Sequence, residues 1–155
     1  MTTNELKALI REIVAEAQRL SIKYTSEKKA PVNYACLFSQ NADEYESTIK
    51  VAHQLGSVVK NTTMGPVFHI SPFSTAAGTL GLLKIRKPDP KRKERGDADF
   101  TIANYKKFKK TYLGRPGFNI IKKPDMEMIE LIDSSYNVIV YYSNPTLADV
   151  LKLNN

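Results

Sequence analysis

Three acids stand out by type and spacing: Asp97, Asp99 and Glu130. Asp97 and Asp99 lie two apart in the run DADFTI, so on an extended chain their side chains share a face. Two carboxyls held close split their pKa values and can do acid–base work. The alternative places both at an exposed strand start, paired with Arg95 or Lys84. Glu130 shares a face of MEMIELID with Met126, Met128 and Ile132. If that face lines a cavity, Glu130 is a polar group in an apolar pocket, as in most binding sites. Lys84, Arg86, Arg92 and Arg95 can clamp a carboxylate or phosphate, the arginines through paired N–H bonds.

His69 adds an acid or base with an ordinary pKa near neutral, or else a hydrogen-bonded structural histidine. His53 and His69 are the only histidines, sixteen residues apart. Zinc takes three or four ligands, and no compact spacing of His, Cys and carboxylate supplies them. No metal and no cofactor is expected. Cys36 sits within a strand and is expected to be buried and inert. The sequence has no Gly-rich phosphate loop and no Gly-x-Ser-x-Gly elbow.

The elements that carry these residues repeat. Residues 97–102 read as a strand and 104–113 as a helix closed by Gly114; strands follow at 118–122, 126–132 and 137–142. A first copy runs through strand 32–39, a helix capped by Asn41 with Glu44, and strands at 57–60, 67–70 and 80–87. Gly56 is expected to close that first helix in a left-handed conformation. Val32, Tyr34, Cys36 and Phe38 are expected on one face of their strand. Residues 71–78 read as a long connection. Phe38 and Phe100 are 62 residues apart, Gly56 and Gly114 58, and Gly65 and Met126 61. Asn144 is expected to cap a last short helix with Pro145 at its first position.

Ahead of the repeat, residues 2–23 form an amphipathic helix. Leu6, Leu9, Ile10, Ile13, Val14, Ala17 and Leu20 lie on one side. Thr2 and Glu5 make a capping box. The stripe suits the outside of a sheet or a second subunit. Because it exceeds what one small sheet is expected to cover, a homodimer follows. The organisation is therefore 1–30 helix and linker, 31–87 first module, 88–96 basic linker or flap, and 97–155 second module with a C-terminal helix. The fold class is α+β: two tandem β-α-β-β-β modules forming curved mixed sheets.

The formal net charge of +7 is unevenly placed. Residues 84–123 hold 14 of the 23 Lys and Arg and 4 of the 16 Asp and Glu, about +10 against −3 for the rest. The asymmetry points to an anionic partner or to a solvated basic face. Tyr105, Phe108, Tyr112 and Phe118 lie among these lysines, so a nucleic-acid or assembly module is the second reading. Tyr105 and Phe108 stand at helix-core spacing, which suits a core better than base stacking. No run of about 18 apolar residues exists to span a bilayer. The single cysteine and the absence of a basic, then apolar, N-terminal region imply a cytoplasmic protein.

The phrases NYACLFS and DADFTIANYKKF, and the closing hairpin MEMIELIDSSYNVIVYY, resemble the modules of the vicinal oxygen chelate superfamily, the glyoxalase and extradiol dioxygenase fold. The resemblance covers about residues 32–142. It implies that each module curls into half a barrel and that the facing cups enclose a ligand. Enzymes of that family hold a divalent metal by His or Glu near the start of the first strand, and by Glu on the last strand, of each module. By position the first-strand ligands fall on Asn33 and Asp97. The last strands, LLKIR and VIVYY, carry no carboxylate. Lys84 and Arg86 there repel a divalent cation; like charges about 4 Å apart cost about 4 kcal/mol at an effective dielectric near 20. The resemblance therefore implies a glyoxalase-like small-molecule-binding protein without that metal chemistry. Its ligand is expected to be anionic or aromatic, and the cup is expected to hold Lys84, Arg86, Asp97, Asp99, Glu130, Tyr142 and His69.

Overall fold

A computed structural model describes residues 1–153. Helix α1 (Thr3–Tyr24) precedes a first module of β1 (Val32–Phe38), α2 (Ala42–Leu55), β2 (Gly56–Thr62), β3 (Gly65–Thr75) and β4 (Gly78–Arg86). The second module is β5 (Gly96–Phe100), α3 (Tyr105–Tyr112), β6 (Phe118–Lys122), β7 (Glu127–Leu131) and β8 (Val138–Asn144). A one-turn helix, α4 (Leu147–Val150), follows. The fold is α+β, and the two modules share one open sheet in the order β2-β3-β4-β1-β5-β8-β7-β6. The seam between them is the antiparallel pair β1–β5. Each module closes on itself through a parallel pair, β1–β4 in the first and β5–β8 in the second.

Helices α1, α2 and α3 cover one face. Leu6, Ile10, Ile13, Val14, Ala17 and Leu20 of α1 are buried there, together with Phe68, Leu83, Phe100 and Tyr142 of the sheet. Full burial of each such aliphatic side chain contributes roughly 1.5–3 kcal/mol. The apolar stripe of α1 is thus covered by the chain's own sheet, against β8, β1 and β5, and does not itself call for a second subunit. Thr2 and Glu5 form the capping box.

Several boundaries differ from the sequence reading. β3 runs on to Thr75 and turns directly into β4 at Gly78, whose φ is +98°, so residues 71–78 are mostly strand. Gly56 is extended, with φ at 178°, and is not left-handed. Glycine is needed there because a Cβ would stand 1.9 Å from the His69 carbonyl oxygen of the paired strand. A register shift between Val32 and Tyr34 turns Val32 to the helix side, away from Tyr34, Cys36 and Phe38. The cap of α4 is Thr146 and not Asn144; Asn144 ends β8, and the bond to Pro145 is cis.

Candidate functional site

The face opposite the helices holds the predicted chemistry. Alternation along the central strands puts Tyr34, Cys36 and Phe38 of β1 on it, beside Asp97 and Asp99 of β5. Register then sets the neighbours. Cys36 lies between Lys84 and Asp97, and Asp97 is followed by Ile139. One step along, Tyr34, Asp99, Tyr141 and Glu130 form a row across β1, β5, β8 and β7. Phenols and carboxyls alternate along that row.

Asp97 and Asp99 are 6% and 0% exposed, and both are enclosed. The reading that put them at an exposed strand start with Arg95 or Lys84 as partner is therefore corrected for Arg95. Its guanidinium instead binds both carboxylate oxygens of Glu44, at 2.7 and 2.8 Å, and the Phe38 carbonyl at 2.9 Å. Asp99 Oδ2 accepts a short hydrogen bond from the Ser143 hydroxyl. Asp97 Oδ1 and Asp99 Oδ1 are buried and have no hydrogen-bond partner among the described residues. An unpaired polar atom in a protein interior costs about 1–3 kcal/mol, so such atoms are uncommon outside functional sites.

Burial disfavours the ionised form of both acids. It raises Asp97 to about 8, opposed by the positive charges of Lys84, Arg86 and Arg92 and reinforced by Asp99. It raises Asp99 to about 7, opposed by the hydrogen bonds from Ser143 and by Lys123. At neutral pH Asp97 is mostly a neutral carboxyl, able to donate a hydrogen bond as well as accept one. Burial also pushes the Tyr34 phenol and the Cys36 thiol well above their ordinary values. Cys36 is therefore no nucleophile.

Glu130 is 8% exposed and accepts a 3.1 Å hydrogen bond from the Tyr141 hydroxyl. Met128 and Tyr141 belong to one apolar cluster on this face, with Met126 and Ile132 packed against it. Arg86 stacks its guanidinium 5.0 Å from the Phe38 ring centre and binds Asp89 at 3.0 Å, which leaves its Nε buried and unpartnered.

Two expected residues are not in this group. Tyr142 points to the helix side, where its hydroxyl shares a 2.7 Å hydrogen bond with Ser21 and its ring lies 4.5 Å from that of Phe108. Tyr141, one residue earlier, takes its place. His69 lies on the site's side of β3, opposite Leu82, but is exposed. His53 packs edge-on against Phe68 on the other side of the sheet.

The sheet curves enough for residues from its two outer ends to line one cavity. Lys60 and Thr62 of edge strand β2 line the same small cavity as Lys123, Asp125 and Met126, beyond edge strand β6. Tyr34, Val67, Lys84 and Met128 complete its walls, and Leu147 of α4 covers it. Three lysines thus converge from opposite ends and the middle of the sheet. The cavity holds roughly 60 Å³, about two water molecules.

The metal chemistry implied by the family resemblance does not fit these residues. Asn33 Oδ1 accepts the Ala148 amide at 3.3 Å. Asp97 lies in the field of Lys84, Arg86 and Arg92. Among the described residues no three His, Cys, Asp or Glu side chains are grouped as ligands.

Sequence reasoning missed Tyr34, Tyr141, Ser143, Lys60 and Lys123. A phenol directly beside a carboxyl on the next strand is the signal that links the first two to Asp99, and it needs the register. The aromatic residues of α3 form its buried stripe; Tyr105, Phe108 and Tyr112 are all enclosed and present no stacking surface. No helix among the described residues is long and apolar enough to cross a membrane.

No family model matches the chain, and no curated protein matches it. Two solved structures are similar. "Protein EC4020", from structural genomics, superimposes with a TM-score of 0.73 over 98% of this chain and 92% of its own, at 10% identity. A glyoxalase/bleomycin resistance protein/dioxygenase superfamily member from Vibrio splendidus 12B01 gives a TM-score of 0.46 over 74% of this chain and 97% of its own, at 4% identity. The first likeness is one of fold.

Proposed function

We propose that the chain is a glyoxalase-like small-molecule-binding protein whose site is the concave face of the sheet, and that its ligand is an anion with an apolar or aromatic body. The observation that carries this reading is the pair of buried, unpartnered oxygens on Asp97 and Asp99 at the centre of that face. A structure that buries two carboxyl oxygens without partners gives up stability, and a bound ligand is the simplest source of the missing hydrogen bonds. The protonated carboxyl of Asp97 donates to a ligand oxygen. Lys60, Lys84 and Lys123 supply the attraction for negative charge. Tyr34, Val67, Met126 and Met128 supply apolar contact. Divalent-metal chemistry has no place in this reading.

The test is ligand-observed NMR with a mixture of small aromatic and aliphatic carboxylates, phosphates and sulfonates. Members of the mixture should bind the unaltered protein, and Lys84→Glu should weaken them at least about tenfold through charge reversal beside the site. A mixture in which nothing binds, or binding that Lys84→Glu leaves untouched, sinks the proposal.

A further inference from the structure

The cavity over the site is too small for an organic ligand, and one short segment makes it so. After β8 the chain turns back over the concave face. Leu147 is 8% exposed and packs in one cluster with Tyr34, Val67 and Leu82. Ala148, Leu151 and Leu153 pack against the same cluster, as does Met126. The lysines that line the cavity surround this apolar contact. The segment therefore lays an aliphatic side chain against Tyr34, in a cavity that three lysines and Asp125 also line, where an anion with an apolar body would fit.

The segment is also built as a unit. Thr146 and Asp149 cap each other across the first turn. The Val150, Leu151 and Leu153 amides donate to the Thr146, Leu147 and Ala148 carbonyls. A hydrogen bond from the Ala148 amide to Asn33 Oδ1 ties the segment to the sheet, and at 3.3 Å it is long. A single helical turn has little stability of its own. Short segments held by a few apolar contacts open at low free energy compared with the core. Lifting the segment gives up the burial of Leu147 and its neighbours and the long bond from Ala148 to Asn33, and breaks no strand pairing of the sheet.

We infer that residues 145–153 are a built-in competitor: Leu147 holds the place of the ligand's apolar body, and the segment must leave before an anion can reach Tyr34 and Lys84. This rests on the reading of the concave face as the binding site. The ligand's apparent affinity is then lowered by the small fraction of molecules that are open, and weakening the closed state raises it.

The probe is the aromatic sulfonate dye anilinonaphthalene sulfonate, titrated into the full chain and into Leu147→Ala, Lys84→Glu and the double variant, each checked for a cooperative melt. Leu147→Ala should bind the dye about tenfold more tightly than the unaltered chain, and Lys84→Glu should remove that gain. Equal or weaker binding by Leu147→Ala overturns the closure while leaving the site in place, provided that Lys84→Glu still weakens the unaltered protein. If Lys84→Glu has no effect in either background, the site falls and the closure with it. A second measurement needs no variant that might unfold: hydrogen exchange of the unaltered chain at saturating dye. The amides of Leu151 and Leu153 should exchange several times faster with dye than without. Unchanged or slower exchange there overturns the proposal.

Discussion

The two faces of this sheet are built from the same strands and obey different rules. On the helix side, residues of β1, β4 and β8 such as Leu37, Leu83 and Val140 are apolar and fully enclosed. A large polar group there, the Tyr142 hydroxyl, has its partner in Ser21. On the other side, Asp97, Asp99 and Glu130 are just as buried, but two carboxyl oxygens lack partners. One face is optimised for stability. The other keeps groups that stability alone would exchange for apolar ones. That contrast, more than any single residue, is what the proposal of a ligand site on the concave face rests on.

The contrast can be broken in three ways. The largest effect belongs to the helix side: Phe68→Ala should destabilise by about 3–5 kcal/mol in urea unfolding, since the ring is fully enclosed. A loss under about 1 kcal/mol there would mean that this face is not the stabilising core.

The next effect is a pH dependence from the other side. The ordinary value of an Asp is 3.8, and burial raises Asp97 to about 8 and Asp99 to about 7. Below about pH 4 both acids are protonated folded or unfolded, and their contribution to stability is fully present. Above it the unfolded chain ionises while the folded chain holds its protons, so that contribution is lost as pH rises toward about 8. Urea unfolding from pH 5 to pH 8 should show falling stability, on the order of a few kcal/mol in total. Asp97→Asn with Asp99→Asn should flatten the slope; identical slopes would show that the two acids are not held as described. Glu44 and Glu127 work in the opposite sense, since the charges of Arg95 and Lys109 lower them. Their contribution disappears in acid, below about pH 4.5, outside that window.

The smallest effect is local. Tyr141→Phe should cost about 1 kcal/mol, because Glu130 then loses the hydroxyl that donates to it. Tyr142→Phe makes the matched control on the helix side, where Ser21 is left in the same position. Losses of similar size would show that single hydrogen bonds are used alike on both faces, so that the faces differ only in their unpaired carboxyls.

Much of the fold was legible because it rests on local signals. The stripe of α1, the caps at Thr2 and Asn41, and the paired order of strands all follow from spacing. The candidate site was legible in part. Asp97 and Asp99 share a face by alternation, and Glu130 shares one with Met128. Tyr142 was misplaced because the one hydroxyl of Ser143 in VIVYYS does not by itself show which side is wet, and a one-residue choice reverses every side chain on a strand. Only pairing with Asp99 on one side and Glu130 on the other identifies Tyr141 as the inward phenol.

The amino-acid sequence by itself determined the modules, their order, the basic excess of residues 84–123 and the presence of acids on β5, since helical and strand periodicity and charge are properties of neighbours along the chain. Tertiary structure decided the rest: that β1 and β5 join both modules into one sheet, that the acids are buried, and that Lys60, Lys123 and Leu147 line one cavity. Those facts depend on curvature and long-range register, which bring together residues more than sixty positions apart and leave no mark in local spacing.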